Sequence, residues 1–210
     1  AILLKPDFAK AFNNLGNALR ETGKVAPALE AFKKAVFLNP DYADAYINMG
    51  ISFQNQGELY KAIGAFNKAL SLTPNSAKTY YNIGINFEKQ GRLKEAIDAF
   101  AKAISLTPNY SIARSQKLYK QASICDWNAL EEELTFLPEL GVHGRYIPPL
   151  TVLSLEDVPK RHLARSQLYA QTNLNQGTLG PFPSPKQKPE RIKIGYFSAD
   201  FKKHPVTILL

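Results

Sequence analysis

The chain has 210 residues, 45% of them hydrophobic and 21% charged, with a formal net charge of +8 at pH 7. That is enough apolar content to bury a core and enough length for one or two domains, while the single cysteine excludes an internal disulfide and suits a reducing, cytoplasmic setting. No run approaches the roughly 18 consecutive apolar residues of a membrane span, and the positive charge is spread over helix faces and a basic tail, which argues against nucleic acid as the partner.

Residues 1–8 read as the end of a repeat, because Ala1 and Pro6 have the spacing of Ala35 and Pro40. The expectation is a segment cut from a longer array. A unit then occurs three times, over residues 9–42, 43–76 and 77–110. Its columns are Phe12, Tyr46, Tyr80; Gly16, Gly50, Gly84; Leu19, Phe53, Phe87; Gly23, Gly57, Gly91; Ala28, Ala62, Ala96; Phe32, Phe66, Phe100; and Pro40, Pro74, Pro108. This register resembles the tetratricopeptide (TPR) repeat, with an aromatic where that pattern has Trp.

The spacing carries a physical reading. Phe12, Leu15, Gly16 and Leu19 fall at i, i+3, i+4 and i+7, one face of a first helix. Gly16 lets a partner helix approach closely, and Gly23 supplies a turn residue free to take a left-handed conformation. Ala28, Phe32 and Ala35 form the matching face of a second helix, two small residues around one aromatic. Pro40 lacks an amide hydrogen and ends that helix. A unit cannot bury its apolar face alone, so stacked units should form a superhelix with a concave groove.

After Pro108 the pattern decays. Residues 111–127 read as a degenerate capping helix, since Arg114 and Leu118 occupy the aromatic and glycine columns. Residues 128–190 read as a helical linker, with helices expected over 128–140 and 155–173 and an exposed run of Gly and Pro from Gly177 to Pro189. Arg191 to Ser198 alternates in hydropathy as a strand does, residues 199–204 are polar, and Pro205 suits the first position of a helix. The fold class expected is therefore mainly α: a TPR superhelix, a helical linker, and over 191–210 the first strand, loop and helix of a truncated Rossmann-like α/β domain.

One exposed column keeps its identity: Asn14, Asn48 and Asn82. About 100° per residue places it opposite the buried face of the first helix, so the three carboxamides should form a ladder along the groove, able to pair with the backbone of an extended peptide. A neutral surface residue copied by duplication is the plainer alternative. Neighbouring columns have drifted, as Asn13, Ile47 and Tyr81 illustrate. His143 and His162 lack metal-ligand spacing and read as surface or packing residues, and Cys125 as a buried junction residue. No metal site is expected.

The repeats with Asp44-Ala45-Tyr46-Ile47-Asn48-Met49-Gly50, then Ile124-Cys125-Asp126-Trp127, then Arg191 to Phe201 with His204-Pro205, resemble the protein O-linked N-acetylglucosamine transferase family. The resemblance implies a glycosyltransferase that moves N-acetylglucosamine from the UDP-sugar to Ser or Thr of proteins threading the groove. It implies no cofactor, a donor held mainly by residues beyond Leu210, Asn14, Asn48 and Asn82 as acceptor-peptide contacts, and His204 as a catalytic base. The segment alone is expected to be inactive. Two other readings stand beside it: a related enzyme using GDP-fucose, and a TPR scaffold that binds partner peptides without catalysis.

Overall fold

The computed structural model describes residues 8–153 and 155–173, and among them every regular element is helical. Three helical pairs come first: α1 (Ala9–Glu21) with α2 (Val25–Leu38), α3 (Ala43–Asn55) with α4 (Leu59–Leu72), and α5 (Ala77–Lys89) with α6 (Leu93–Leu106). Beyond them lie α7 (Ser111–Ser123), α8 (Trp127–Leu134), a short 3-10 turn (Pro149–Thr151) and α9 (Pro159–Asn173). No strand occurs among the described residues, so for them the mixed class expected from the sequence is corrected to an all-α array of TPR type. The strand, loop and helix start expected over 191–210, and the Gly and Pro run before them, lie outside the described residues.

Each of the first three pairs is built on one contact. Phe32, Phe66 and Phe100 are fully buried, and each ring lies against the glycine of its partner helix. A β-carbon added to Gly16, Gly50 or Gly84 would stand 2.5 Å from the Cε1 of that ring, well inside van der Waals contact. Alanines 28, 62 and 96 beside the rings are also fully buried, which keeps the two backbones close. The expected face is not uniform: Leu15 remains 40% exposed.

The turns repeat as closely as the cores. Gly23, Gly57 and Gly91 take φ values of 76°, 78° and 74°. In each, the N–H of the residue after the glycine closes back on a carbonyl of the last turn: Lys24 to Leu19, Glu58 to Phe53 and Arg92 to Phe87, all at 2.9 Å. A fourth turn has the same form with Cys125 in the glycine column at φ 58°, and Asp126 N–H reaching Gln121 O at 3.0 Å. Residues 124–127, which suggested a junction to a catalytic region, are thus the turn between α7 and α8 with the first residue of α8, and the two helices make a fourth and divergent pair. Cys125 is exposed there rather than buried. Helix α8 is only eight residues long, and α9 begins at Pro159 rather than Leu155.

First helices touch one another along the array, α1 with α3 and α3 with α5, whereas second helices pack on the first helix of the next unit, α2 on α3, α4 on α5 and α6 on α7. First helices therefore form the inner, concave layer.

The end of the array is closed differently. Leu118, in the glycine column, packs with Leu130, Leu137, Leu140, Ile147 and Val152 in a purely aliphatic cluster. Over it lies Arg165 of α9, fully buried, donating from Nε to Leu140 O at 2.7 Å and from Nη2 to Leu137 O at 2.6 Å. Its Nη1 pairs with Glu156, whose other oxygen is 2.7 Å from Arg161 Nη1. His162 Nε2 lies 2.9 Å from Glu156 O. Burial by itself raises the Glu156 carboxyl, but the hydrogen bonds and charges of Arg165 and Arg161 together outweigh it and hold the group below its usual range. Glu133 is held low in the same manner, burial opposing and Lys117 and Arg114 prevailing.

This packing has two measurable consequences. Gly50→Ala should destabilise the chain by about 1–3 kcal/mol because the ring of Phe66 must move, whereas Gly64→Ala, in α4 with open space at its β-carbon, should stabilise it by about 0.5–1 kcal/mol; urea denaturation of both variants checks the opposite signs. Carboxyls held low in the folded state contribute stability that is present above their unfolded value, near 4.5 for Glu156, and is lost as pH falls through the folded value. Thermal stability should therefore be level from neutral pH to about pH 5 and decline below it, with Glu156→Gln weakening the fold at pH 7 and flattening the acid decline.

Candidate functional site: the concave layer

The inner face is carried by α1, α3, α5 and α7, and its seams are polar. Asn48 Nδ2 on α3 donates to Asn13 Oδ1 on α1 at 2.9 Å, with both side chains nearly out of solvent. Between α3 and α5, Gln54 Nε2 donates to Asn82 O at 3.3 Å. Between α5 and α7, Lys120 Nζ meets Glu88 Oε1 at 2.6 Å. Three successive seams are thus bridged by three different chemistries: amide to amide, amide to backbone, and ion pair. Each seam pairs polar groups where helices exclude water, which limits the cost of burying them.

The asparagine column meets these seams unequally. Asn14 is exposed, Asn48 is 6% exposed and engaged with Asn13, and Asn82 is half-buried with its Nδ2 donating to Lys78 O at 2.9 Å within its own helix. The column runs along the flank that faces the preceding unit. Asn48 has α1 there, while Asn14 is on the first described helix. Equal spacing in sequence therefore does not yield three equivalent free amides. His204 lies outside the described residues. His143 is exposed and His162 half-buried.

Side chains that the sequence did not single out complete the face. Ile51, Ile85 and Asn17 are half-exposed along α3, α5 and α1, and Tyr119 continues their column on α7 with 40% exposure. Toward the end of the array the layer turns aromatic. Tyr81 packs against Phe100 with ring centroids 5.7 Å apart and against Tyr110 at 5.4 Å. Its hydroxyl is pushed up to about 12, first by burial and then by Tyr110, Glu88 and Tyr146 nearby, so it stays a neutral donor at any physiological pH. Tyr146 meets Tyr169 of α9 edge to face at 5.5 Å. Among the described residues no group of three or more His, Cys, Asp or Glu is placed to hold a metal ion, and no helix is long and apolar enough to cross a membrane.

Comparison with known proteins agrees with this architecture. Residues 16–57 match the family described as TPR repeat, and residues 41–109 the one described as tetratricopeptide repeat. No curated protein matches the chain. Among solved structures the chain is similar to MamA, at 23% identity over 81% of this chain and 85% of that one, with a TM-score of 0.54. It is similar also to MamA residues 41 to the end from Desulfovibrio magneticus RS-1, at 22% identity over 64% of this chain and 76% of that one, TM-score 0.57. A third similar structure is the first TPR of Spaghetti (RPAP3) bound to the HSP90 peptide SRMEEVD, at 19% identity over 56% of this chain and 94% of that one, TM-score 0.54. At these identities the likeness establishes the fold.

These findings overturn the resemblance to O-linked N-acetylglucosamine transferases, and with it the glycosyltransferase reading. The similar structures are MamA and a TPR of Spaghetti, the described residues form helices with no sheet among them to carry a nucleotide-sugar site, and the supposed junction motif is a repeat turn. The polar seams are open to a direct test. Asn48→Ala strands the buried amide of Asn13 and should cost about 1–3 kcal/mol of stability, while Asn14→Ala, at an exposed position, should change it by less than about 0.5 kcal/mol; chemical denaturation of the two variants distinguishes them.

Proposed function

We propose that the protein is a TPR scaffold whose concave layer holds extended segments of partner proteins, with no catalysis of its own. The observation that carries this reading is the composition of the inner face. Half-exposed Ile51, Ile85 and Tyr119 run beside the carboxamides of Asn14, Asn17 and Asn82 on successive first helices. Apolar side chains supply contact area without fixing the partner's sequence, and carboxamides, with donors and an acceptor each, match the alternating N–H and C=O of an extended backbone. On this reading Asn14 and Asn82 contact the peptide, and Asn48 acts chiefly by bracing α3 against α1. The likeness to a TPR structure that holds the peptide SRMEEVD supports a peptide as the ligand class. A cytoplasmic location fits a chain with a single, exposed and unpaired cysteine.

Peptides selected against the full chain by display should bind the first-helix layer. Replacing Asn14 and Asn82 by Ala together with Ile85 by Ser should weaken such a peptide by about tenfold or more in fluorescence anisotropy, the loss of roughly 1.4 kcal/mol. Lys68→Glu on the outer face of α4 should leave its affinity unchanged. Selected peptides whose affinity tracks Lys68 and ignores the inner-face changes would move the binding surface away from the groove and defeat the proposal.

A further inference from the structure

A cavity of about 510 Å³ opens where the turn between α6 and α7 faces the segment after α8, and its wall includes Ser111, Arg114, Phe136, Glu139, His143 and Arg145. Arg114 is the departure from the repeat here. It stands in the column that holds Phe12, Tyr46 and Tyr80, and it is 8% exposed. Its guanidinium lies over the ring of Phe136, 3.8 Å from the centroid, while Nη2 donates to Pro108 O at 3.3 Å and Nη1 pairs with Glu133. Lys117 Nζ meets the other oxygen of the same carboxylate at 2.8 Å.

Among the described side chains the charge in this buried group does not balance. Two cations, Arg114 and Lys117, share one carboxylate, and the three side chains are only 10%, 16% and 15% exposed. An excess positive charge with little water around it is costly unless an anion approaches. On the cavity wall the exposed Arg145 is offset by Glu139, and α7 begins here with no acidic residue in its first turn to offset its amino-terminal dipole, so the surroundings leave the excess of the buried group uncancelled.

We infer that this cavity is a phosphoryl-binding site, in which the excess charge of the Arg114–Glu133–Lys117 group attracts the anion and Arg145, His143 and Ser111 supply donors around it. A tetrahedral oxyanion suits donors presented from several directions, and a guanidinium is the group best matched to it. Two sources share this chemistry: free phosphate, and a phosphorylated serine of a partner protein.

The side-chain Nε–Hε signals of the ¹⁵N-labelled full chain, titrated with sodium phosphate against sodium chloride of equal ionic strength, test the site. Expected is a saturable shift of Arg114 and Arg145 that chloride does not produce. Arg145→Gln should weaken it and Glu139→Gln should strengthen it, each by about threefold, as removal of one exposed charge implies. These two variants keep the test decisive even where Arg114→Tyr, which restores the aromatic column and should abolish binding, fails to fold. A blocked Gly-phosphoserine-Gly peptide binding about tenfold more tightly than inorganic phosphate, with its unphosphorylated form inert, assigns the source to a partner side chain; equal affinity assigns it to the free ion. No shift beyond chloride, acetate acting as strongly as phosphate, or affinities indifferent to both Glu139→Gln and Arg145→Gln would each overturn the inference.

Discussion

A phenylalanine ring laid against a glycine is the contact on which this chain depends. In each of the first three pairs the ring is fully buried and the glycine leaves no room for a β-carbon. Because the ring fills the space between backbones, it fixes how closely the two helices approach, and because the same residues recur every unit, it fixes the approach identically each time. Curvature then arises without further instruction. First helices meet first helices, second helices meet the next first helix, and the layer that touches itself becomes the inside of the bend.

A rigidly repeated backbone frees the seams between units to vary. At successive seams the chain uses Asn13 with Asn48, Gln54 with a backbone carbonyl, and Glu88 with Lys120. Each pairing satisfies groups that stacking removes from water, and each leaves a different remainder facing the trough. On the proposed scaffold reading this remainder is what a partner peptide meets, so diversity at the seams would set selectivity while the ring-on-glycine contact sets shape. Asn48 shows the division within one column: the repeat supplies the same residue as at Asn14 and Asn82, but its place beside α1 makes it a brace.

The repeats were legible because their signals are local. Period, turn glycine and stop proline each act within one unit, and the structure realises them at Gly23, Gly57 and Gly91 with nearly one φ value. The seam partners were not legible, because Asn13 and Asn48 lie 35 residues apart and only the stacking offset between units brings them together. Residues 124–127 misled more seriously, as the mark of a particular enzyme. Their spacing places Cys125 where the earlier units have glycine, and a left-handed residue leading into a helix cap is what any further unit would need. A motif that the repeat itself explains carries little information about the chain beyond it.

The last pair shows why an array has to change before it can stop. Without another unit to cover α7 and α8, a ring-on-glycine core would present its outer side to water, and the chain instead places Leu118 at the glycine column and seals the aliphatic cluster with the segment through Val152. The backbone carbonyls of Leu137 and Leu140 are then taken up by Arg165 from α9, while Glu156 balances its charge. A buried guanidinium is a costly plug unless its donors are used, and here they are used on the carbonyls of Leu137 and Leu140 and on the carboxylate of Glu156. A second buried guanidinium occurs earlier, at Arg114 on α7, in the aromatic column, but there the compensating carboxylate is shared with Lys117. One cationic plug is thus balanced and the other is left in electrostatic excess beside a cavity, so the point where the repeat register gives up its aromatic is also the point where an anion is attracted.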